Sequence, residues 1–358
     1  MYRNTKNVPY YVFGRGSLAQ LGDLLKPRRE AVDGPVVYFV DHFFRDHELI
    51  GRLPMEKGDQ LHFVDSSSEP EVTRIDAFKE AVSVADSRTP CCVVGIGGGN
   101  ALDTAKAVAN LLTNPGKAED YQGWELVKNP AVYKIGIPTL SGTGSECSRT
   151  CVLTNIPKNL KLGMNSDYTV YDQLLLDPDL LATVPRDQYF YTGIDTFMHC
   201  VESLQGSYRN AIIDAFSIRA VQLCEEIFLS DDMMSEENRE KMMIASYIGG
   251  MAAGNVGVIH PFSAGLGVVL HVAHGLGNCL ALNVLGDIYP KEYKQFRTMI
   301  ERQGVNLPTG ICKDLTEEQY EGLYRGCIVH EKPLTNALGP DFKQILTREN
   351  LIERYKSI

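Results

Sequence analysis

Residues 91–112 read CCVVGIGGGNALDTAKAVANLL, and the change of period inside this stretch decides the fold. An apolar run too short for a helix gives way to three glycines, and the residues after them carry apolar side chains at helical spacing. The reading is strand, tight turn, helix. Glycines at Gly97, Gly98 and Gly99 let the backbone approach a ligand closely, and the helix that starts beside Asn100 offers free N–H groups and a positive dipole end. Such a turn can hold a pyrophosphate, although it lacks the GxGxxG spacing of a standard dinucleotide unit and an ordinary tight turn has the same glycines.

Outward from this stretch, VVYFV at 36–40 and VYKIGIPT at 132–139 are further strand-like runs separated by helical patterns. That alternation predicts parallel βαβ units with ligands at the carboxyl ends of the strands. Asp41 closes the first run and is placed to accept hydrogen bonds from a ribose 2′-hydroxyl while repelling a 2′-phosphate, which favours NAD over NADP; His42 and Arg45 nearby weaken that preference and leave NADP open. The loop PTLSGTGSE at 138–146 also follows a strand, and its hydroxyls suit either the other side of a nucleotide or an ordinary self-satisfied Ser/Thr turn.

Past LLLDPDLLATVP at 174–185, β-branched runs thin out and helical spacing continues through FSIRAVQLCEEIF at 216–228 and EENREKMMIASYIGGMAAG at 236–254. The expected organisation is an α/β domain over 1–183 and an all-helical domain over 184–358, with a substrate cleft between them and a last amphipathic helix at the C-terminus. A 358-residue chain is long for a single core.

In the helical half, GIDTFMHCVES at 193–203 sets Asp195 and His199 four residues apart on one helix face, and HPFSAGLGVVLHVAH at 260–274 adds His260 and His274. Singly, such a pair is more often a surface pair or a satisfied core histidine. Together the four supply one oxygen and three nitrogen donors, a set suited to a divalent transition metal, with Fe(II) and Zn leading.

Composition narrows the partners. A formal net charge of −10 with no long basic run argues against nucleic acid and anionic membrane. The first residues, MYRNTKNVPYYVFGRGSL, lack the apolar stretch of a signal peptide, and no stretch is long and apolar enough to span a bilayer, so a cytoplasmic location is expected. Nine cysteines in apolar contexts read as reduced, buried thiols; Cys147 and Cys151, four apart, have no matching pair to complete a zinc site.

Taken together, GIGGGNALDTAKAVA, IPTLSGTGSE, GIDTFMHCVES and the His260/His274 spacing resemble the iron-containing (group III) alcohol dehydrogenase family, in order over roughly residues 8–285. The resemblance implies an N-terminal dinucleotide-binding α/β domain, a helical C-terminal domain and a homodimer, with a metal held by Asp195, His199, His260 and His274. Carried over residue by residue, the cofactor contacts fall on Asp41, Gly97, Gly98, Gly99, Asn100, Asp103, Thr139, Leu140, Ser145 and Lys161. On sequence grounds alone Lys161 is a bare surface lysine. The chain departs from the family at Ala264, where a further histidine is common one turn after His260. His271 is the candidate to take over its proton-handling or substrate-contacting role. The tail beyond Gly310 is also shorter and diverged.

What the resemblance implies chemically is oxidation of a small alcohol or sugar acid by hydride transfer to a nicotinamide. Its most specific form is conversion of the C8 primary alcohol of 3-deoxy-D-manno-octulosonate (Kdo) to the aldehyde in lipopolysaccharide sugar synthesis. A lyase of the dehydroquinate synthase type, using the same nucleotide and metal but returning the hydride, is the alternative, as is another oxidoreductase of the family. Arg149, Lys161 and Arg209 are the candidate anion partners.

Overall fold

In a computed structural model, which describes residues 6–158 and 160–358, the chain folds as two compact units. One comprises the chain up to Leu140 with Ser145–Lys158 and Leu162–Thr183; the other comprises Val184–Ile358 together with Ser141–Gly144 and a short stretch ending at Lys161. Two pieces that precede residue 183 therefore pack with the helices, which a single linear boundary does not anticipate.

The first unit contains β1 (Tyr10–Phe13), α1 (Leu21–Ala31), β2 (Val36–Asp41), β3 (Gln60–Val64), α2 (Val72–Ala85), β4 (Cys92–Gly97), α3 (Gly99–Leu111), β5 (Gly123–Trp124), β6 (Lys134–Pro138), β7 (Thr150–Asn155), β8 (Leu160–Asn165, from Leu162 on) and β9 (Gln173–Leu176). Six of these strands form a parallel sheet in the order β1-β9-β6-β4-β2-β3, and a small second sheet has the order β5-β8-β7. The run VVYFV is apolar throughout because both faces of the sheet are covered. Val36, Tyr38 and Val40 enter one core cluster with Leu21, Leu25 and Ile137. Val37 and Phe39 enter the opposite one with Val93, Ala105 and Val108 of α3.

From β2 the chain runs outward to β3, then returns to lay β4 on the other side of β2 and continues away through β6 and β9. The order of the sheet thus reverses between β2 and β4, and ligands of open parallel sheets bind at such a switch point, off the carboxyl ends of the strands. Those ends carry Asp41 and Gly97.

The second unit is helical: α4 (Arg186–Gln205), α5 (Ala211–Phe228), α6 (Glu236–Gly249), α7 (Ile259–Leu270), α8 (His274–Val284), α9 (Pro290–Gln303), α10 (Glu317–Ile328), α11 (Glu331–Leu338), α12 (Phe342–Ile345) and α13 (Arg348–Lys356). Side-chain caps set several starts: Asn210 accepts from the Ile213 N–H, Ser235 from Asn238, and Thr316 forms a capping box with Gln319. Helix α4 is buried almost continuously from Tyr189 to Ser203 and packs against α5, α6 and α8. A helix covered all round can carry polar side chains inward only if they find partners there, and α4 carries Asp195, Thr196, His199 and Glu202. Among the described residues no single helix is long and apolar enough to cross a membrane. All nine cysteines are buried free thiols.

Candidate metal centre and nucleotide turn

The glycine turn is a product of close packing. Gly97 ends β4 at φ 152°, and a Cβ there would lie 2.6 Å from Ala101 Cβ and 2.9 Å from Asp41 Cβ. Only glycine fits that conformation beside those neighbours. Helix α3 begins at Gly99 after Gly98 in extended conformation, and Gly98 packs against the Leu140 side chain. Thr139 N–H donates to the Gly97 carbonyl at 3.0 Å, tying the polar loop to the turn. Asp41 Oδ1 accepts from Phe43 N–H at 3.0 Å and from the Ser66 hydroxyl at 2.9 Å, while Asn100 Nδ2 donates to the Ser68 carbonyl.

Asp103 faces the loop. It accepts from Ser145 Oγ at 2.5 Å and from Val152 N–H at 2.9 Å, and lies 3.3 Å from Lys106 Nζ. Lys106, fully buried, donates to the carbonyls of Ser145 (2.8 Å) and Thr150 and lies 3.3 Å from Ser148 Oγ. The pair braces residues 145–150, so Asp103 and Ser145 act on each other as well as on anything bound nearby. Nothing in the sequence singles out Lys106 beyond its position one turn after Asp103. The other piece of the loop docks in the helical unit, where Gly142 N–H donates to Ser246 Oγ (2.8 Å) and the Gly142 carbonyl accepts from Thr196 Oγ1 (2.9 Å).

In the helical unit, Asp195 and His199 on α4, His260 at the start of α7 and His274 at the start of α8 converge. One ligand atom from each lies within 4.8 Å of the others. Asp195 is fully buried. Its Oδ1 lies 3.2 Å from His260 Nε2 and 3.9 Å from His199 Nε2, and its Oδ2 lies 3.5 Å from His274 Nε2. Asn278, one turn after His274, holds the carboxylate in place by donating from Nδ2 to Oδ1 at 2.7 Å.

Glu202 was missed from sequence, yet it sits seven residues after Asp195 and three after His199, on the same helix face. Its Oε2 accepts from His260 Nδ1, and its Oε1 accepts from Ile259 N–H at 2.6 Å and from Tyr289 OH at 3.4 Å. The Tyr289 oxygen in turn accepts from Val258 N–H at 3.0 Å. A carboxylate only accepts, so Nδ1 of His260 carries the proton and Nε2 turns toward Asp195. This is the carboxylate–histidine arrangement that orients metal ligands.

The electrostatics describe a cluster made for a cation. Burial opposes charge on His260, but Glu202 and Asp195 outweigh it and push its pKa up to about 9. His199 is driven down to about 3, chiefly by burial and against the pull of Asp195. Burial works to raise Asp195, but the three imidazoles hold it well below the usual carboxylate range. Asp195 Oδ2 and His199 Nδ1 are buried without a hydrogen bond among the described residues. Three imidazoles and two carboxylates carry two negative charges when each imidazole is neutral. A divalent transition ion matches that charge and that nitrogen-rich donor set.

Other expected residues fall elsewhere. Lys161, read from sequence as a surface lysine, is only 7% exposed; its ammonium lies 3.8 Å from the point where a Cβ on Gly267 of α7 would sit. His271 is outside the four-donor cluster, exposed at the left-handed C-cap of α7 with φ 54°. Arg149 is held at 2.6 Å by both Asp167 and Glu125, and Arg209 at 2.9 Å by Asp214. Their charges are already matched.

Comparison with known proteins agrees with this geometry. Residues 9–178 match the family model described as iron-containing alcohol dehydrogenase, and residues 189–322 match that for the C-terminal part of the same family. The chain is 34% identical over 220 residues to sulfoacetaldehyde reductase of Bilophila wadsworthia, covering 60% of this chain and 56% of that one. It is 30% identical over 278 residues to NAD-dependent methanol dehydrogenase of Bacillus methanolicus, covering 75% of this chain and 71% of that one. Among solved structures, sulfoacetaldehyde reductase of Bifidobacterium kashiwanohense, determined in complex with NAD+, superposes with a TM-score of 0.80 at 24% identity over 99% of this chain and 98% of that one. Alcohol dehydrogenase of Oenococcus oeni gives 0.83 at 21% identity over 99% of both chains. With both parts matched in order and a methanol dehydrogenase followed over most of its length, the chain belongs to the iron-containing alcohol dehydrogenase family, and with it to the oxidoreductases that act on alcohols and aldehydes.

Proposed function

We propose that this protein interconverts a primary alcohol and its aldehyde, using a divalent cation held by Asp195, His199, His260 and His274 and a nicotinamide nucleotide whose pyrophosphate lies on the turn from Gly97 to Asn100. The convergence of the four donors on one point carries the reading. When bound, such a cation supplies Lewis acidity and the nicotinamide supplies the hydride acceptor. Fe(II) and Zn both suit the donors.

The chain's own residues do the positioning. Glu202 fixes the ring of His260 and Asn278 fixes Asp195. Thr139 and Leu140 line the turn, and Asp103 with Lys106 holds Ser145 in place. The carboxylate of Asp41 at the end of β2 favours NAD(H) over NADP(H), as it would accept from a ribose 2′-hydroxyl and repel a 2′-phosphate. The NAD-linked relatives support this choice.

The specific substrate proposed is the C8 alcohol of Kdo, which rests on the resemblance of the whole chain, HPFSAGLGVVLHVAHG included, to an enzyme of that reaction and not on any contact in the site. A homodimer acting in the cytoplasm is part of the same proposal. Protein loaded with Fe(II) or Zn, given NAD+ and either Kdo or simple primary alcohols, should produce reduced nicotinamide. Turnover without net nucleotide reduction would favour the lyase alternative, and reduction with simple alcohols alone would remove Kdo.

A further inference from the structure

Ala264 lies one turn after His260 and is buried, so this face of α7 has no second ring to meet a substrate. The packing of α10 on α7 brings one from another part of the chain. A Cβ on Gly326 would lie 2.9 Å from Gly265 Cα, and one on Gly322 would lie 3.0 Å from Val269 Cγ2. Residue numbers rise along one helix as they fall along the other, so the two run antiparallel in close contact, with glycine at the crossing. Carried one turn further, this register sets residue 330 at the level of 260 and 261.

His330 occupies that position. Its N–H donates to the Cys327 carbonyl at 3.3 Å, which continues the turn of α10 before α11 begins. The side chain is half-buried, and burial together with the charges of Lys161 and His260 draws its pKa down to about 4, so the ring is neutral near pH 7. A neutral imidazole both donates and accepts, which suits a hydroxyl-bearing ligand. His330 also lies beyond residue 322, where the match to the family model ends.

We propose that His330 is the substrate-contacting histidine of this enzyme, hydrogen-bonding a second hydroxyl or a carboxylate of an alcohol whose reacting carbon lies beside His260. The inference rests on the alcohol reading above. It narrows the substrate class to polyhydroxylated alcohols and sugar acids, and it assigns to the C-terminal segment the contact that Ala264 cannot make.

The test compares metal-loaded wild type, His330→Ala and His330→Gln on Kdo, glycerol and 1-propanol with NAD+. Losing one hydrogen bond to a substrate hydroxyl should lower kcat/KM for Kdo or glycerol about 10- to 100-fold. That loss should exceed the loss on 1-propanol at least tenfold (about one hydrogen bond's worth), with His330→Gln recovering part of it and metal content and melting temperature as in wild type. Equal losses on all three alcohols, or none, would overturn the assignment. If wild type oxidises no alcohol, the proposed function fails separately, and calorimetric binding of Kdo and glycerol to the zinc-loaded protein still decides His330: binding must weaken about tenfold or more in His330→Ala, and unchanged binding refutes the role.

Discussion

The glycine turn of the first unit and the four-donor cluster of the second are built by opposite means. The turn is backbone, made by residues adjacent in sequence. Its neighbours, Ala101 four residues on and Asp41 on the paired strand, leave no room for any other residue at Gly97. The cluster is made of side chains from three helices spread over eighty residues of sequence, and among the described residues it leaves Asp195 Oδ2 and His199 Nδ1 buried without hydrogen bonds. A preformed backbone site loses little without its ligand. A convergent polar site is costly until a cation arrives.

The sharpest way to break this contrast is Asp195→Ala. It removes the one anionic donor and should lower kcat/KM about a thousandfold or more, since several kcal/mol of charge stabilisation go with the ion. Metal analysis after dialysis should find the ion lost, while nucleotide affinity stays near wild type. Retained metal with full activity would dissolve the cluster as a site. Gly97→Ala should do the reverse, costing about 2 kcal/mol or more in unfolding free energy from the clash and the positive φ. It should weaken NADH binding and leave metal content alone, as read by denaturant titration and nucleotide fluorescence.

Glu202→Gln should be milder and confined to the metal. The amide can still accept from His260 Nδ1, but the charge is gone, and affinity for Zn or Co(II) should fall about 10- to 100-fold. An altered Co(II) visible spectrum would show the reoriented ring; unchanged affinity would reduce Glu202 to packing. The smallest effect is pH. In the metal-free protein His260 holds its proton up to about pH 9. The raised pKa stabilises the fold fully below the ordinary value of 6.5, and that stabilisation is lost as pH rises through about 9. A metal must displace this proton, so apparent affinity should climb about tenfold per pH unit between roughly pH 7 and 9 and then level off. A flat profile would mean that His260 is not a ligand.

Much of this was legible in the chain. The apolar runs at 36–40, 91–97 and 132–138 fall within or across β2, β4 and β6, and the helical spacing past residue 185 becomes α4 to α13. These elements are buried on both faces or on one regular stripe, which leaves a periodic trace. The short edge strand β1 and the strands of the small sheet left no such trace: β1 exposes the apolar Tyr10, Tyr11 and Phe13, β7 buries Asn155 while Val152 is only half-buried, so polarity does not follow burial, and β5 has only two residues. At the site, chemistry pointed to Asp195, His199, His260 and His274, whereas Glu202, Asn278 and Lys106 act through other residues and look ordinary in sequence. Lys161 illustrates the limit: its charge suggested the surface, and its surroundings bury it.

What the order of residues determined by itself was local: a strand that turns through glycine into a helix, and one pair of donors, Asp195 and His199, at a spacing that a helix turns to one side. What only the tertiary structure decided was which distant pieces meet. The antiparallel register of α7 and α10, carried one turn past Gly326, brings His330 to the level of His260, and the burial of α4 turns Glu202 against the His260 imidazole. The physical reason is that side-chain chemistry and helical period are properties of neighbouring residues, while burial and contact depend on how whole helices pack, which no short stretch encodes.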